Sequence, residues 1–341
     1  MSSGLTVVLG WDGLDFDLVT EYGLADAFGP ECRKIETIVN ESVGYPHTQE
    51  LWPSIVTGLR PEEHGFEWVG RDEDRAQWNS PLLDRASRVA EGVIPKRLRV
   101  WLGNRLQERG AELDYVTAAD YADRGVDTVF DGRVSLPLTV PNYRTELDER
   151  LDLQTNRGWR LGEYVNLEET DGTVRHHPTI PFPEFEMHTT REAFAKLGPV
   201  HAAIRREYDL IFVWIGFLDT VGHVAPLTSE PTQRHGYEMA ARATRAVRSA
   251  TAEEDTLICV SDHGLQGGEH TDHAFFGTDD ERIGEAVDSV LDVRAAIDRV
   301  TGASGDGDGH PAVRALFDHA DAETGNEADE IRSQLENLGY I

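Results

Sequence analysis

Lysine is nearly missing from this chain of 341 residues. Of 32 basic residues only Lys34, Lys96 and Lys196 are lysine; the rest are arginine, set against 62 Asp and Glu. The resulting net charge of −30 argues against a nucleic-acid polymer as partner, because phosphates would be repelled rather than neutralised. Cysteine is as scarce. Cys32 and Cys259 stand far apart, which gives neither zinc-finger spacing nor a disulfide framework. Long apolar runs are also lacking. The longest, near Leu210–Leu218, is too short to cross a bilayer, so no membrane segment is expected. No basic stretch followed by an apolar one precedes the first candidate strand, so a secretory signal is not expected either. A soluble, cytoplasmic protein is the expectation.

What is present is enough for a large core: 39% hydrophobic residues in a chain of this length mark a globular protein. The acidic residues are dispersed, in stretches such as Asp72–Asp74 and Asp279–Glu281. A dispersed acidic surface with almost no lysine suits a salt-rich cytoplasm, where repulsion is screened over a few ångströms; a halophilic source is expected.

The coarse pattern is β/α. Leu5–Trp11, Leu210–Leu218 and Thr256–Val260 are continuous apolar runs of the kind that form strands buried on both faces. A helix is predicted over about Arg234–Ala250, with Met239, Ala243 and Val247 at helical spacing, and another near Thr190–Tyr208, opened by its Thr-Thr pair. Strand, helix, strand with short joins predicts an α/β fold with a mostly parallel central sheet flanked by helices. The whole chain reads as a single domain. The region of about 68–187 is richer in Pro, Gly and aromatics and holds a hairpin candidate at Asp171-Gly172; it is expected to be an inserted cap that carries substrate recognition. Its aromatic residues Trp78, Trp101, Tyr115, Tyr121, Trp159 and Tyr164 are read mainly as packing, and His176, His177 and His188 as surface residues. From about residue 302 to 341 the chain reads as a flexible loop, Gly302–Gly309, and a short closing helix, Asp329–Leu338.

The chemistry concentrates in segments that follow apolar strands: Asp12-Gly13, Asp219 with His223, Asp262-His263-Gly264, and His270 with His273. In an open α/β sheet the carboxyl ends of parallel strands line one crevice, where these side chains could converge. Asp and neutral His together suit Zn²⁺ or Mn²⁺ better than Ca²⁺ or Mg²⁺. Asp219 and His223, four residues apart, reach one ion if a helical turn follows the strand. Asp262 and His263 are adjacent, so both reach one ion only where the chain leaves strand geometry, as Gly264 permits.

The segment Thr48-Gln-Glu-Leu-Trp-Pro-Ser-Ile-Val-Thr-Gly-Leu-Arg-Pro-Glu-Glu-His-Gly65 resembles the nucleophile segment of the type I phosphodiesterase/nucleotide pyrophosphatase family, within the alkaline phosphatase superfamily. Thr57-Gly58-Leu59 and Pro61…His64-Gly65 match that family's run, which puts the nucleophile nine residues upstream at Thr48. Asp12, the Asp219/His223 pair and Asp262-His263 follow in the family's order. The resemblance implies an alkaline-phosphatase-like sheet and two divalent ions, with zinc the first expectation and manganese the second. One ion would be held by Asp12, Thr48, Asp262 and His263, the other by Asp219, His223 and a downstream histidine. His270 is preferred for that last place and His273 is the fallback. His64 and Gly65 are expected to be structural.

One departure stands out: where eukaryotic-type members carry an Asn three residues after the nucleophile, this chain has Leu51, which donates no hydrogen bond. Phosphate would then be held by backbone N–H groups near Gln49, by Gln49 itself, or by an Arg from the cap, with His47 a further candidate for substrate contact. The expected activity is cleavage of a phosphodiester or pyrophosphate bond in a small molecule through a phospho-threonine intermediate. A phosphomonoesterase, a phosphonate hydrolase, a sulfatase-like hydrolase or a non-catalytic phosphate-ligand binder are the alternatives. Neither cysteine lies in the Cys/Ser-x-Pro-x-Arg context of the usual sulfatase nucleophile.

Overall fold

The computed structural model describes residues 4–67, 116–153, 164–170, 173–228 and 231–302. Its centre is a six-stranded sheet ordered β2-β10-β7-β1-β6-β3. The strands are β1 (Thr6–Trp11), β2 (Glu31–Glu36), β3 (Ser135–Leu138), β6 (Leu210–Ile215), β7 (Thr256–Val260) and β10 (His273–Thr278). β7, β1, β6 and β3 are mutually parallel, whereas β10 runs antiparallel to both β7 and β2. The mostly parallel α/β sheet expected from the sequence is thus what the chain forms, with an antiparallel edge.

The three apolar runs take the central places because both their faces are covered. Val7, Leu9 and Trp11 of β1 join a core on one side of the sheet with Leu197, Val200, Ala240 and Val247. Val8 joins the opposite core with Trp52, Ile55, Phe212 and Val260. The Leu210–Leu218 run is not one strand. The strand stops at Ile215, and a helix begins at Phe217 and continues to Val224. Apolar content could not separate the two, because both are buried.

Two helices differ in extent from expectation. The Thr190–Tyr208 helix spans Phe182–Ala203; proline near its start is tolerated because first-turn N–H groups have no partner within the helix, and Thr189 is an interior residue whose hydroxyl donates to the Glu186 carbonyl at 3.0 Å. The Arg234–Ala250 helix spans Thr232–Arg248. A further helix runs from Thr48 to Thr57, with His47 as its N-cap. This helix lies very close to the sheet: a Cβ on Gly10 would come within 2.5 Å of the Trp52 ring, so Gly10 lets the indole rest on β1.

Part of the 68–187 stretch belongs to the sheet itself, since β3 pairs with β6 along Ser135↔Leu210 to Leu138↔Val213. Tyr121, Phe130 and Tyr143 are buried in the same core as Trp52, in keeping with the packing role expected of Tyr121. The candidate hairpin forms as β4 (Val165–Thr170) against β5 (Thr173–Pro178), in register from Val165↔Pro178 to Thr170↔Thr173. Trp78, Trp101, Tyr115, Trp159, the loop beyond Gly302 and the Asp329–Leu338 helix lie outside the described residues. Among the described residues no helix is long and apolar enough to cross a membrane.

Candidate metal and nucleophile site

Four elements deliver side chains to one place beyond the carboxyl ends of β1, β6 and β7. Asp12 follows β1 directly and is fully buried. Asp219 sits in the first turn of the Phe217–Val224 helix, also fully buried, with its N–H donating to the Asp12 carbonyl at 3.0 Å. Asp262 and His263 follow β7 where the strand has ended, both fully buried. His270 closes a short hairpin, β8 (Leu265–Gln266) and β9 (Glu269–His270). Its two-residue turn, Gly267-Gly268, has φ of 59° and 88°, the positive pair that a type I′ turn requires.

The side chains fall into two overlapping groups. In one, Asp219 Oδ1 lies 3.3 Å from His223 Nε2 and 3.2 Å from His270 Nε2, and the two Nε2 atoms are 3.1 Å apart. In the other, His263 Nε2 lies 3.4 Å from Asp12 Oδ1, 3.5 Å from Asp262 Oδ2 and 3.9 Å from Asp219 Oδ1. Thr48 Oγ1 is 3.4 Å from that same His263 Nε2. Asp219 therefore stands between the groups, and the helical turn after β6 brings its partner His223 to it across one i,i+4 step.

The histidine tautomers follow from their partners. Nδ1 of His223 faces the Gly268 carbonyl at 2.8 Å, that of His270 faces the Pro46 carbonyl at 3.0 Å, and that of His263 faces the Gly264 carbonyl at 3.1 Å. A carbonyl only accepts, so each Nδ1 carries the proton and each Nε2 turns a lone pair inward. Lone pairs on two facing Nε2 atoms and on Asp219 Oδ1 then converge, which is repulsive unless a cation lies among them. This is the outer-shell pattern of metal-binding histidines, each oriented by a backbone acceptor. The residues fit divalent metal ions, which Asp219, His223 and His270 could hold on one side and Asp12, Asp219 and His263 on the other.

His273, the fallback ligand, goes elsewhere. Its Nε2 pairs with Asp15 Oδ2 at 3.0 Å, while Asp15 caps the Phe16–Glu21 helix and accepts from Gln266 and Thr271. The hydrogen bond to Asp15 lifts the His273 pKa above the ordinary value. Burial works to raise that of Asp15, but the bonds from His273, the Leu18 N–H and Gln266 outweigh it and hold the carboxyl below its ordinary value.

The remaining residues have plain surroundings. Leu51 is buried in the core. Gln49 has lost the helical partner of its carbonyl, because the residue four places on is Pro53, which has no N–H. Asn142 Nδ2 donates to that carbonyl instead, at 2.8 Å. Asn142 thereby ties the loop after β3 to the first turn of the Thr48–Thr57 helix. His64 is buried, accepts from the Phe66 N–H on Nδ1 and faces Ser54 Oγ at 3.1 Å; burial pushes its pKa down to about 4, so it is a neutral spacer in the turn that ends at Gly65.

Sequence reasoning missed three residues around the site: Asn142, Trp214 and His176. Trp214 Nε1 donates to Asp12 Oδ2 at 3.1 Å, but its place inside an apolar run gave no sign of a polar task. His176, taken for a surface residue, is half-buried on β5 with its ring stacked on that of His223, centroids 4.2 Å apart and planes 24° from parallel. Pairing of the β4–β5 hairpin was legible, but not which wall of the crevice it would cover. His188 likewise stacks on Tyr164, at 4.4 Å.

The site thus lies in the crevice of an α/β fold built on a mostly parallel six-stranded sheet. The chain belongs to the type I phosphodiesterase/nucleotide pyrophosphatase family, whose sequence profile matches residues 6–338. No curated protein matches it. Solved structures similar to it include a 2-O GAG sulfatase, at 8% identity over 81% of this chain and 64% of that one, with a TM-score of 0.42. Murine ectonucleotide pyrophosphatase/phosphodiesterase 5 is 14% identical over 76% of this chain and 57% of that one, with a TM-score of 0.36. An alkaline phosphatase from the Antarctic bacterium TAB5 is 11% identical over 88% and 98%, with a TM-score of 0.41. The chain thus spans less than two thirds of the length of the first two.

Proposed function

We propose that this protein is a metal-dependent phosphoesterase that cleaves a phosphodiester or pyrophosphate bond in a small molecule, with Thr48 as the nucleophile. The observation that carries this reading is the position of Thr48 Oγ1, at the head of a ten-residue helix and 3.4 Å from His263 Nε2, beside two groups of Asp and His that suit divalent ions. Asp12, Asp262 and His263 would hold the ion that Thr48 touches; Asp219, His223 and His270 would hold the other. When bound, zinc or manganese ions would supply Lewis acidity, lowering the pKa of the threonine hydroxyl and neutralising charge on the leaving oxygen.

The chain's own residues do the rest. Thr48 Oγ attacks phosphorus, the bond to the leaving oxygen breaks, and a phospho-threonine forms that water then cleaves. The helix presents its N-terminal dipole and backbone N–H groups to the phosphate, which compensates for Leu51 in place of an asparagine. Gln49, whose carbonyl Asn142 fixes, and His47 at the cap flank that phosphate, and His176 lines the side of the crevice next to His223. The 68–187 region supplies the surface that chooses the substrate. The acidity of the chain fits a protein that works in molar salt, in a halophilic archaeal cytoplasm.

The test is hydrolysis of bis-p-nitrophenyl phosphate beside p-nitrophenyl phosphate, in molar KCl with Zn²⁺ or Mn²⁺, by the wild type and Thr48→Ala. Diester cleavage exceeding monoester cleavage and vanishing in Thr48→Ala supports the proposal. Monoester preference would move the protein to the phosphatase side of the superfamily. Two bound ions with turnover of neither would sink Thr48 as a general phosphoester nucleophile.

A further inference from the structure

Lys196 is one of only three lysines in the chain, and it is 5% exposed. A chain that uses arginine nearly everywhere else keeps a compact ammonium in its interior, which calls for a physical reason. The ammonium lies 3.9 Å from the centroid of the Trp214 ring, and the same indole donates its N–H to Asp12 Oδ2 at 3.1 Å. Trp214 is 3% exposed and Asp12 fully buried, so both contacts are shielded from water and correspondingly strong. A cation over an indole face draws electron density toward itself and makes the N–H a better donor.

The Trp214 backbone is held as well. The Trp214 carbonyl accepts from Thr139 Oγ1 at 2.8 Å, and the Thr139 N–H donates to Asp148 Oδ1 at 2.8 Å. Thr139 adopts φ of 56°, a left-handed conformation that a β-branched residue rarely takes and that persists only where surrounding bonds impose it. Asp148 is fully buried and also accepts from the Thr145 N–H and hydroxyl. Burial raises its pKa, and the positive charge of Lys196 acts against that rise. The loop after β3 is therefore bent around the end of β6 to keep one carboxylate, one ammonium and one indole in a fixed arrangement behind the site.

We propose that Lys196 and Trp214 are positioning residues for Asp12: the ammonium strengthens the indole donor, and the indole fixes Asp12 Oδ2 so that Oδ1 faces the nucleophile-side ion next to His263. This rests on the two-ion reading of the site. Removal of either residue weakens one ion-binding step and leaves the other alone, and the two removals act through the same hydrogen bond.

The experiment measures Zn²⁺ uptake by the full chain, stripped by chelator and titrated in molar KCl, for wild type, Lys196→Met, Trp214→Phe and the double variant. Wild type is expected to take up two ions. Lys196→Met and Trp214→Phe each weaken one step by roughly 10–100-fold, the scale for losing an outer-shell partner, and the double variant is no weaker than Trp214→Phe alone. Because Lys196→Met leaves Asp148 buried without its cation, the series is repeated on Asp148→Asn, where that conflict is gone. Unchanged affinities in Lys196→Met, tighter binding in it, or additive losses in the double variant would each overturn the proposal while leaving two-ion binding intact. A wild type that takes up no second ion would instead remove the two-ion reading on which it rests.

Discussion

The two halves of the site are built from different materials. Asp12, Asp262 and His263 are fully buried and follow the central strands β1 and β7, and Asp12 is braced from behind by Trp214. His223 and His270 keep 13% of their side-chain surface, and their orientation depends on the carbonyls of Gly268 and Pro46, both in loops. The Asp12–Asp262–His263 half is thus fixed by the core, and the other half by the rim. The difference teaches that rigidity and adjustment are separated here: one group of side chains locked by the central strands, and one set by short segments that can change without disturbing the sheet.

That contrast can be broken first at Thr48, Asp12 or Asp219. Thr48→Ala is expected to lower kcat by roughly 10⁴-fold or more, as loss of a nucleophile does elsewhere, with unchanged metal content. Asp219→Asn should lose both ions, because Asp219 belongs to both groups, whereas His270→Ala should lose one; metal analysis after dialysis separates them, and equal losses would mean that the halves are not distinct. On the rim, His176→Ala is expected to change kcat/KM by about 10-fold without altering metal content, read by steady-state kinetics on a diester. An effect on stability alone would make His176 a packing residue. Beside the Thr48–Thr57 helix, Asn142→Ala removes the Asn142 Nδ2 bond to the carbonyl of half-buried Gln49 and should cost about 1 kcal/mol in denaturant melts.

The smallest effect concerns pH. The raised pKa of His273 adds stability that is fully present below the ordinary histidine value and is lost as pH climbs through the raised one. The lowered pKa of Asp15 adds stability present above the ordinary aspartate value and lost as pH falls through the lowered one. Their pair, with Asp17, Lys34 and Asp272 around it, therefore strengthens the fold most between about pH 4 and 6.5. His273→Gln should lower Tm by a few degrees at pH 6 and by less at pH 9; a constant difference would assign the loss to packing.

Much of this was legible from the chain itself. The central strands followed from apolar runs, and the four Asp and His segments could be picked out because they stand just after such runs, positions that are local in sequence. The choice of His270 over His273 rested on resemblance, and the geometry gives each a distinct neighbourhood. What local pattern could not carry was contact across the sheet. Trp214 reads as core, but its N–H meets Asp12 and its ring face carries the Lys196 ammonium. Asn142 matters only because Pro53, some ninety positions earlier, lacks a proton. His176 lies on a hairpin whose pairing was visible, but whose docking on His223 depends on how the whole insertion folds back. Similarly, β3 was hidden because a four-residue edge strand that contains proline has little pattern to show.

The antiparallel course of β10 has one more consequence. A parallel strand brings its end to the crevice, but β10 brings its beginning, so His270 arrives on the small hairpin that precedes it. Gly267-Gly268 at the tip of that hairpin does two things at once: it spaces His270, and through the Gly268 carbonyl it aims His223. One residue more or fewer at this tip would shift both histidines together against an unmoved Asp219. The distance between the two halves of the site is in this sense a property of a dipeptide, and laboratory variation of that turn could retune metal choice or leaving-group preference while the sheet beneath stays as it is.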